Sequence, residues 1–269
     1  MSTSALLAEQ DGHVLTVTIN RPDKKNAVDA EVLCGLRDAW RCLDGEDELR
    51  VAILTGAGGN FCAGMDLSVI GKLTSGAPPE TPFEERLKND MSIIFDGWLK
   101  TYRPTKPVIA AVEGFALAGG TEILQGTDIR VAGKSARFGV TEVQRGLFPM
   151  AGSTVRLPRQ IPYTIAAEML LTGESFTATQ CKNFGLIGRV VPDGQALTAA
   201  RKIAARIAAN GPLAVRAILQ SMRETAHLSE AEAFDKKEMA IGLPVFSSED
   251  AREGPRAFLE KRPPVFKGK

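Results

Sequence analysis

Two glutamates, Glu122 and Glu142, stand 20 residues apart, each a few positions beyond a turn that contains glycine. Glu122 closes the run Gly114-Phe115-Ala116-Leu117-Ala118-Gly119-Gly120-Thr121-Glu122, directly after the apolar stretch 107–112, so the order reads strand, turn, helix start. Glu142 follows Phe138-Gly139-Val140-Thr141. The first N–H groups of a helix have no acceptor within it and point outward, where they can bind negative charge. A carboxyl group beside such donors can move protons while the donors hold an anion.

A second glycine-rich turn strengthens this reading. The apolar run 51–55 leads into Gly56-Ala57-Gly58-Gly59-Asn60-Phe61-Cys62-Ala63-Gly64-Met65-Asp66-Leu67. Met65 and Gly119 occupy matching places, one after Ala63-Gly64 and the other within Ala118-Gly119-Gly120. If the turns lie side by side, the two N–H groups converge on one oxygen, each contributing roughly 3 kcal/mol to an enolate-like transition state. Two carboxylates about 5 Å apart would repel by roughly 3 kcal/mol at an effective dielectric near 20, or about two pH units. One could then stay protonated as acid while the other serves as base.

The elements that must position these residues are read as follows. Residues 13–19 alternate as a strand, and 20–26 form a turn. Asp29 is placed to cap a helix in which Val32, Leu36, Ala39 and Leu43 recur at helical spacing. Three prolines and a glycine make 74–82 an irregular loop, and Phe83, Leu87, Met91, Ile94, Phe95 and Trp98 mark one helix after it. Beyond Val190-Val191-Pro192-Asp193-Gly194 the pattern turns helical, over about 195–209, 212–225, 229–239 and 248–260, with breaks at Gly211-Pro212 and Gly242-Leu243-Pro244. The expected organisation is an α/β catalytic core over 1–194 and a helical region over 195–269 that packs on the core or on another subunit.

Composition narrows the function. The chain has 269 residues, 44% of them apolar, with 33 basic against 32 acidic side chains. A net charge of +1 gives no field suited to nucleic acid. No apolar run reaches the roughly 18 to 20 residues of a membrane span, and the N-terminus has no basic leader, so a soluble cytoplasmic protein is expected. Cys34, Cys42, Cys62 and Cys181 lack C-x-x-C spacing, and His13 and His227 are far apart, so neither a metal site nor a histidine-dependent triad is expected. Cys62 lies in a glycine-rich turn but lacks a histidine partner and is not assigned as a nucleophile. The pattern starting at Gly56 has Phe61 where a dinucleotide fingerprint needs its last glycine, and no Gly-Lys-Ser/Thr follows either turn.

Taken together, the motifs resemble those of the enoyl-CoA hydratase/isomerase (crotonase) family. In order they are Arg21-Pro22 with Asn26-Ala27, the run from Phe61 to Leu67, the run from Gly114 to Glu122, Phe138-Gly139 before Glu142, and Glu260-Lys261-Arg262. The resemblance implies a spiral of ββα units with a C-terminal α-helical trimerisation region, a homotrimer or homohexamer, and a coenzyme A thioester as substrate. It implies that Met65 and Gly119 donate N–H groups to the thioester carbonyl and that Glu122 and Glu142 are the two carboxylates of a hydratase. Lys25, Ala27, Ala63, Gly64, Asp66, Leu67 and Gly120 fall where the family holds substrate, largely through backbone groups, and Lys261 would reach the coenzyme A phosphates across a subunit boundary. Met150, Ser153 and Val155 stand where glycine, glycine and glutamine are common, and Thr141 replaces a usual proline. These departures bear on the acyl pocket.

The leading expectation is hydration of a trans-2-enoyl-CoA to a 3-hydroxyacyl-CoA, with Glu122 as base, Glu142 as proton donor to C2, and no cofactor. A double-bond isomerase needs one base and the same anion site. A non-catalytic acyl-CoA binder would bind thioesters without turnover.

Overall fold

The computed structural model describes residues 2–269, apart from the side chains of Leu73 and Thr74. Six strands form the main sheet: β1 (Leu6–Asp11), β2 (Val14–Ile19), β3 (Val51–Gly56), β4 (Val108–Val112), β6 (Ile129–Gly133) and β9 (Arg189–Val191), in the order β1-β2-β3-β4-β6-β9. Only β1 runs antiparallel to its neighbour, paired from Leu6↔Ile19 to Asp11↔Val14. A second sheet has the order β5 (Phe115–Leu117), β7 (Arg137–Gly139), β8 (Phe176–Thr177).

The two central strands, β3 and β4, are apolar but for Thr55 and Gly56 because both faces are covered. Side chains alternate across a strand, so Ala52, Leu54, Val108, Ala110 and Val112 enter one core while Val51, Ile53, Ile109 and Ala111 enter another. Helix α1 (Ala30–Gly45) covers the first face with Leu33, Leu36, Trp40 and Leu43. Asp29 caps this helix, its Oδ1 accepting from Val32 N at 3.0 Å, as the sequence pattern indicates. Ala196, Ala200, Ile203 and Ala204 of a later helix, 196–208, cover the second face.

Between these come α2 (Leu67–Ser75), α3 (Pro82–Asn89), α4 (Ser92–Gly97), α5 (Gly119–Leu124), α6 (Ser153–Gln160), α7 (Tyr163–Thr172) and α8 (Ala178–Asn183). After α9 (Ala196–Ala208) follow α10 (Pro212–Thr225), α11 (Glu230–Ala233), a π-helical turn (Phe234–Glu238), α12 (Met239–Phe246) and α13 (Glu249–Leu259). No helix among the described residues is long and apolar enough to cross a membrane.

Three expectations need correction. The helix read across Phe83 to Trp98 is two helices, because Asp90 leaves the helical region at φ −143° and its Oδ1 accepts from Ser92 N at 3.0 Å, starting a new turn. Gly242-Leu243-Pro244 is no break but lies inside α12. Pro244 cannot donate back to Ala240 O, and the helix ends two residues later. The helix expected over 229–239 is α11 followed by the π turn, running on into α12.

Candidate active site

Four distant segments lie side by side at the edge of the second sheet. Ala63 N donates to Lys25 O (3.0 Å), Val28 N to Gly64 O (2.8 Å) and Asp66 N to Val28 O (2.9 Å). Cys62 N donates to Phe115 O and Leu117 N to Cys62 O, both at 2.9 Å, and Ala118 N donates to Gly139 O at 2.8 Å. The two glycine-rich turns are therefore neighbours, with Cys62 bridged to Ala116.

The residues that lock them have identifiable reasons. Asn26 is wholly buried with φ +55°, a conformation asparagine tolerates better than most residues. Its Oδ1 accepts from Arg21 N (2.9 Å), and its Nδ2 donates to Ala57 O (2.8 Å) and Asn60 O (2.6 Å). Asn26→Ala removes all three bonds and leaves buried carbonyls unpaired, so urea denaturation is expected to show a loss of about 3 kcal/mol. A loss below about 1 kcal/mol would contradict this structural role.

Close packing then explains the glycines. A Cβ on Gly64 would lie 2.8 Å from Ala118 Cβ and 3.2 Å from Gly119 N, so the residue before Met65 abuts the Gly119 amide. A Cβ on Gly120 would lie 2.2 Å from Cys62 O. Ala118 sits at φ +50°, ψ −126°, a costly conformation for a residue with a Cβ, and it turns the chain into α5. Gly119 rests on the indole of Trp98, which is 2% exposed. The N–H groups of Met65 and Gly119 find no acceptor among the described residues. Cys62 is fully buried, and burial pushes its thiol up to about 12, which leaves it protonated and unsuited to nucleophilic attack.

Glu122 lies in the first turn of α5 and is 3% exposed. Its carboxylate accepts from Ala151 N (Oε2, 3.2 Å) and Ser153 N (Oε1, 3.0 Å) at the start of α6. Both donors escaped the sequence reading, although Gly152 immediately before Ser153 signals a helix start. Glu142 opens the 3-10 turn Glu142–Arg145 rather than an α-helix. It is half-buried, its Oε2 is without a hydrogen-bond partner among the described residues, and burial first, then the Glu122 charge, raise its carboxyl to about 8. The structure thus brings the two carboxyl groups together while leaving them unlike.

The remaining candidates divide. Lys25 is exposed at φ +49°, with Nζ 5.1 Å from the centre of the Phe115 ring. Ala27 and Ala63 are half-buried in the ladder just described. Asp66 caps α2 through Ser68 N, and its Oδ2 takes two 3.1 Å bonds from Arg21, so its side chain is committed to structure. Leu67 is 59% exposed at the start of α2. Lys261, exposed at φ +54° after α13, makes no contact with these turns among the described residues. Beneath the proline-rich loop a cavity of about 210 Å³ is lined by Val69, Lys72, Pro78, Pro79, Leu87 and Met91.

The mixed α/β fold thus sets two adjoining glycine-rich turns next to α5, which carries Glu122, with Glu142 close enough for the Glu122 charge to act on it. The model of the enoyl-CoA hydratase/isomerase family matches residues 9–269, and the chain belongs to that family. It is 56% identical to enoyl-CoA hydratase EchA19 of Mycobacterium tuberculosis, over 98% of this chain and 96% of that one. It is 37% identical to carnitinyl-CoA dehydratase of Proteus mirabilis, over 96% of each chain. Among solved structures, enoyl-CoA hydratase EchA1 from Mycobacterium marinum superposes with a TM-score of 0.88 at 43% identity, covering 99% of this chain and 100% of that one.

Proposed function

We propose that this chain is an enoyl-CoA hydratase that adds water to a trans-2-enoyl-CoA, giving the 3-hydroxyacyl-CoA. The observation that carries the reading is the meeting of Glu122 and Glu142 beside the Met65 and Gly119 turns. The two N–H groups polarise the thioester carbonyl and make C3 electrophilic. Glu122, held by two amides at the start of α6, takes a proton from water as its oxygen bonds to C3. Glu142, protonated at neutral pH, delivers a proton to C2 as the enolate collapses. The step exchanges no electrons with a carrier, so it calls on no redox cofactor.

The presence of two carboxyl groups, one kept protonated, favours hydration over isomerisation, which needs a single base. Backbone groups of Lys25, Ala27, Ala63, Gly64, Asp66 and Leu67 would hold the coenzyme A portion, with Gly120 shaping the carbonyl end. The acyl chain would then extend toward the cavity under the proline-rich loop, lined by Val69, Leu87 and Met91.

The helical region 195–269 is the assembly region in this reading, through its outer helices. Met222 (66%), Phe234 (53%), Leu243 (54%), Phe246 (80%), Phe258 (83%) and Leu259 (80%) are exposed there, large apolar side chains that packing against another subunit would cover. A homotrimer or a homohexamer would cover it, and Lys261 on α13's far end would then approach a neighbour's substrate.

Steady-state turnover of crotonyl-CoA, followed by loss of the conjugated enoyl-thioester absorbance, tests the reading. Hydration is expected, with 3-hydroxybutyryl-CoA as product. Tight binding without turnover at every enoyl chain length would sink it in favour of a binding protein. Conversion of a 3-enoyl-CoA without water addition would favour an isomerase.

A further inference from the structure

Ser153 stands where the family commonly has glycine, and the structure gives its hydroxyl a partner. Gln125 Nε2 donates to Ser153 Oγ at 2.7 Å, with both residues essentially inaccessible, at 1% and 0% exposure. The pair lies directly behind Glu122. Gln125 is the residue that ends α5, three positions after Glu122, and Ser153 opens α6 while its N–H holds Glu122 Oε1. At the far end of α6, Gln160 Nε2 donates to Gln125 O at 2.9 Å.

We propose that Ser153 and Gln125 are positioning residues whose buried side-chain hydrogen bond clamps α5 to α6 and so fixes the Glu122 carboxylate relative to the Gly119 amide. Gly119 and Glu122 share α5, a helix of only six residues. So short an element has little stiffness of its own and takes its orientation from what it is tied to. Its ties to α6 are the two amide bonds to the Glu122 carboxylate, the Gln125–Ser153 pair and the Gln160 contact. Without the Ser153 hydroxyl, the Gln125 amide keeps only a 3.3 Å contact to Thr121 O, and its Oε1 is already unpartnered among the described residues. A buried amide stripped of its partners drives rearrangement, and displacement of a reacting group by a fraction of an ångström lowers the rate of the chemical step more than it lowers binding.

The proposal rests on the hydratase reading for its kinetic test, so two readouts are paired. With crotonyl-CoA, Ser153→Gly and Gln125→Met are each expected to lower kcat about tenfold with KM within about twofold of the parent. The double variant lacks the same bond and is expected to lose about tenfold like each single variant, because the two changes delete one interaction. Additive losses, or losses confined to KM, overturn the clamp. Hydrogen exchange measured by mass spectrometry over 147–157 needs no substrate: faster exchange is expected in each single variant and to the same degree in the double. Unchanged exchange in the single variants overturns the proposal even if turnover falls. Faster exchange in a protein that hydrates no enoyl-CoA would leave the clamp standing and remove the hydratase reading alone.

Discussion

Gly119→Ala is expected to lower kcat by 100- to 1,000-fold, the loss associated with one oxyanion donor. The reason is steric and specific. A Cβ at position 119 would lie 2.7 Å from Trp98 Cη2 and 3.0 Å and 3.1 Å from two further indole carbons. Gly119 is not among the residues with positive φ, so alanine is tolerable on backbone grounds and the clash alone decides the outcome. Trp98 is buried against the core and cannot swing away, so the first turn of α5 must move and take the amide with it. Shrinking the obstacle should therefore help: Gly119→Ala combined with Trp98→Leu is expected to regain about tenfold over Gly119→Ala alone. Gly120→Ala should show no such rescue, because its Cβ would meet the Cys62 backbone carbonyl at 2.2 Å. Kinetics of the three variants on crotonyl-CoA, with circular dichroism to confirm folding, check the set. Undiminished turnover in Gly119→Ala would remove that amide from the chemistry.

What sequence could reveal here follows from the range of the signals. The runs at 51–55 and 107–112 are long and apolar enough to mark buried strands, and Asp29 with the spacing after it marks α1. The pairing of the turns was legible only because Met65 and Gly119 match in local pattern, a likeness of two separated segments rather than a measure of distance. β1 went unread, although Asp11-Gly12 before an alternating run is a hairpin signal, and Gly12 at φ +55° makes that turn. The three-residue strands β5, β7 and β9 are too short for any periodicity to register. The break between α3 and α4 depends on one aspartate bonding to its own neighbour, a local competition that an apolar pattern across 83–98 does not record. Glu142 is legible as a candidate, but its unusual protonation arises from burial and from Glu122, both products of the tertiary fold.

That protonation yields the second large effect. Glu142→Gln is expected to lower kcat roughly 1,000-fold, since the amide cannot deliver a proton to C2, while substrate affinity changes little. The same substitution should make the protein more stable at neutral and higher pH. The folded-state value of about 8 lies above the ordinary 4.5, so between these values the folded chain binds more protons than the unfolded one. Stability from this group is accordingly full below pH 4.5 and declines as pH rises to about 8, above which the charge is simply buried at a cost. Glutamine is neutral throughout and escapes that cost, on the order of 2 kcal/mol near pH 8 for a half-buried carboxylate, or several degrees in Tm. Thermal unfolding of parent and variant at pH 4.5 and pH 8 should show curves that coincide at the lower pH and separate at the higher. The parent's turnover should also fall as pH rises through about 8, when Glu142 loses the proton it must give. Equal stability of the two proteins at both pH values would mean that Glu142 is an ordinary ionised carboxylate. The assignment of acid and base would then lose its electrostatic ground and keep only the two amides that hold the Glu122 carboxylate as an acceptor.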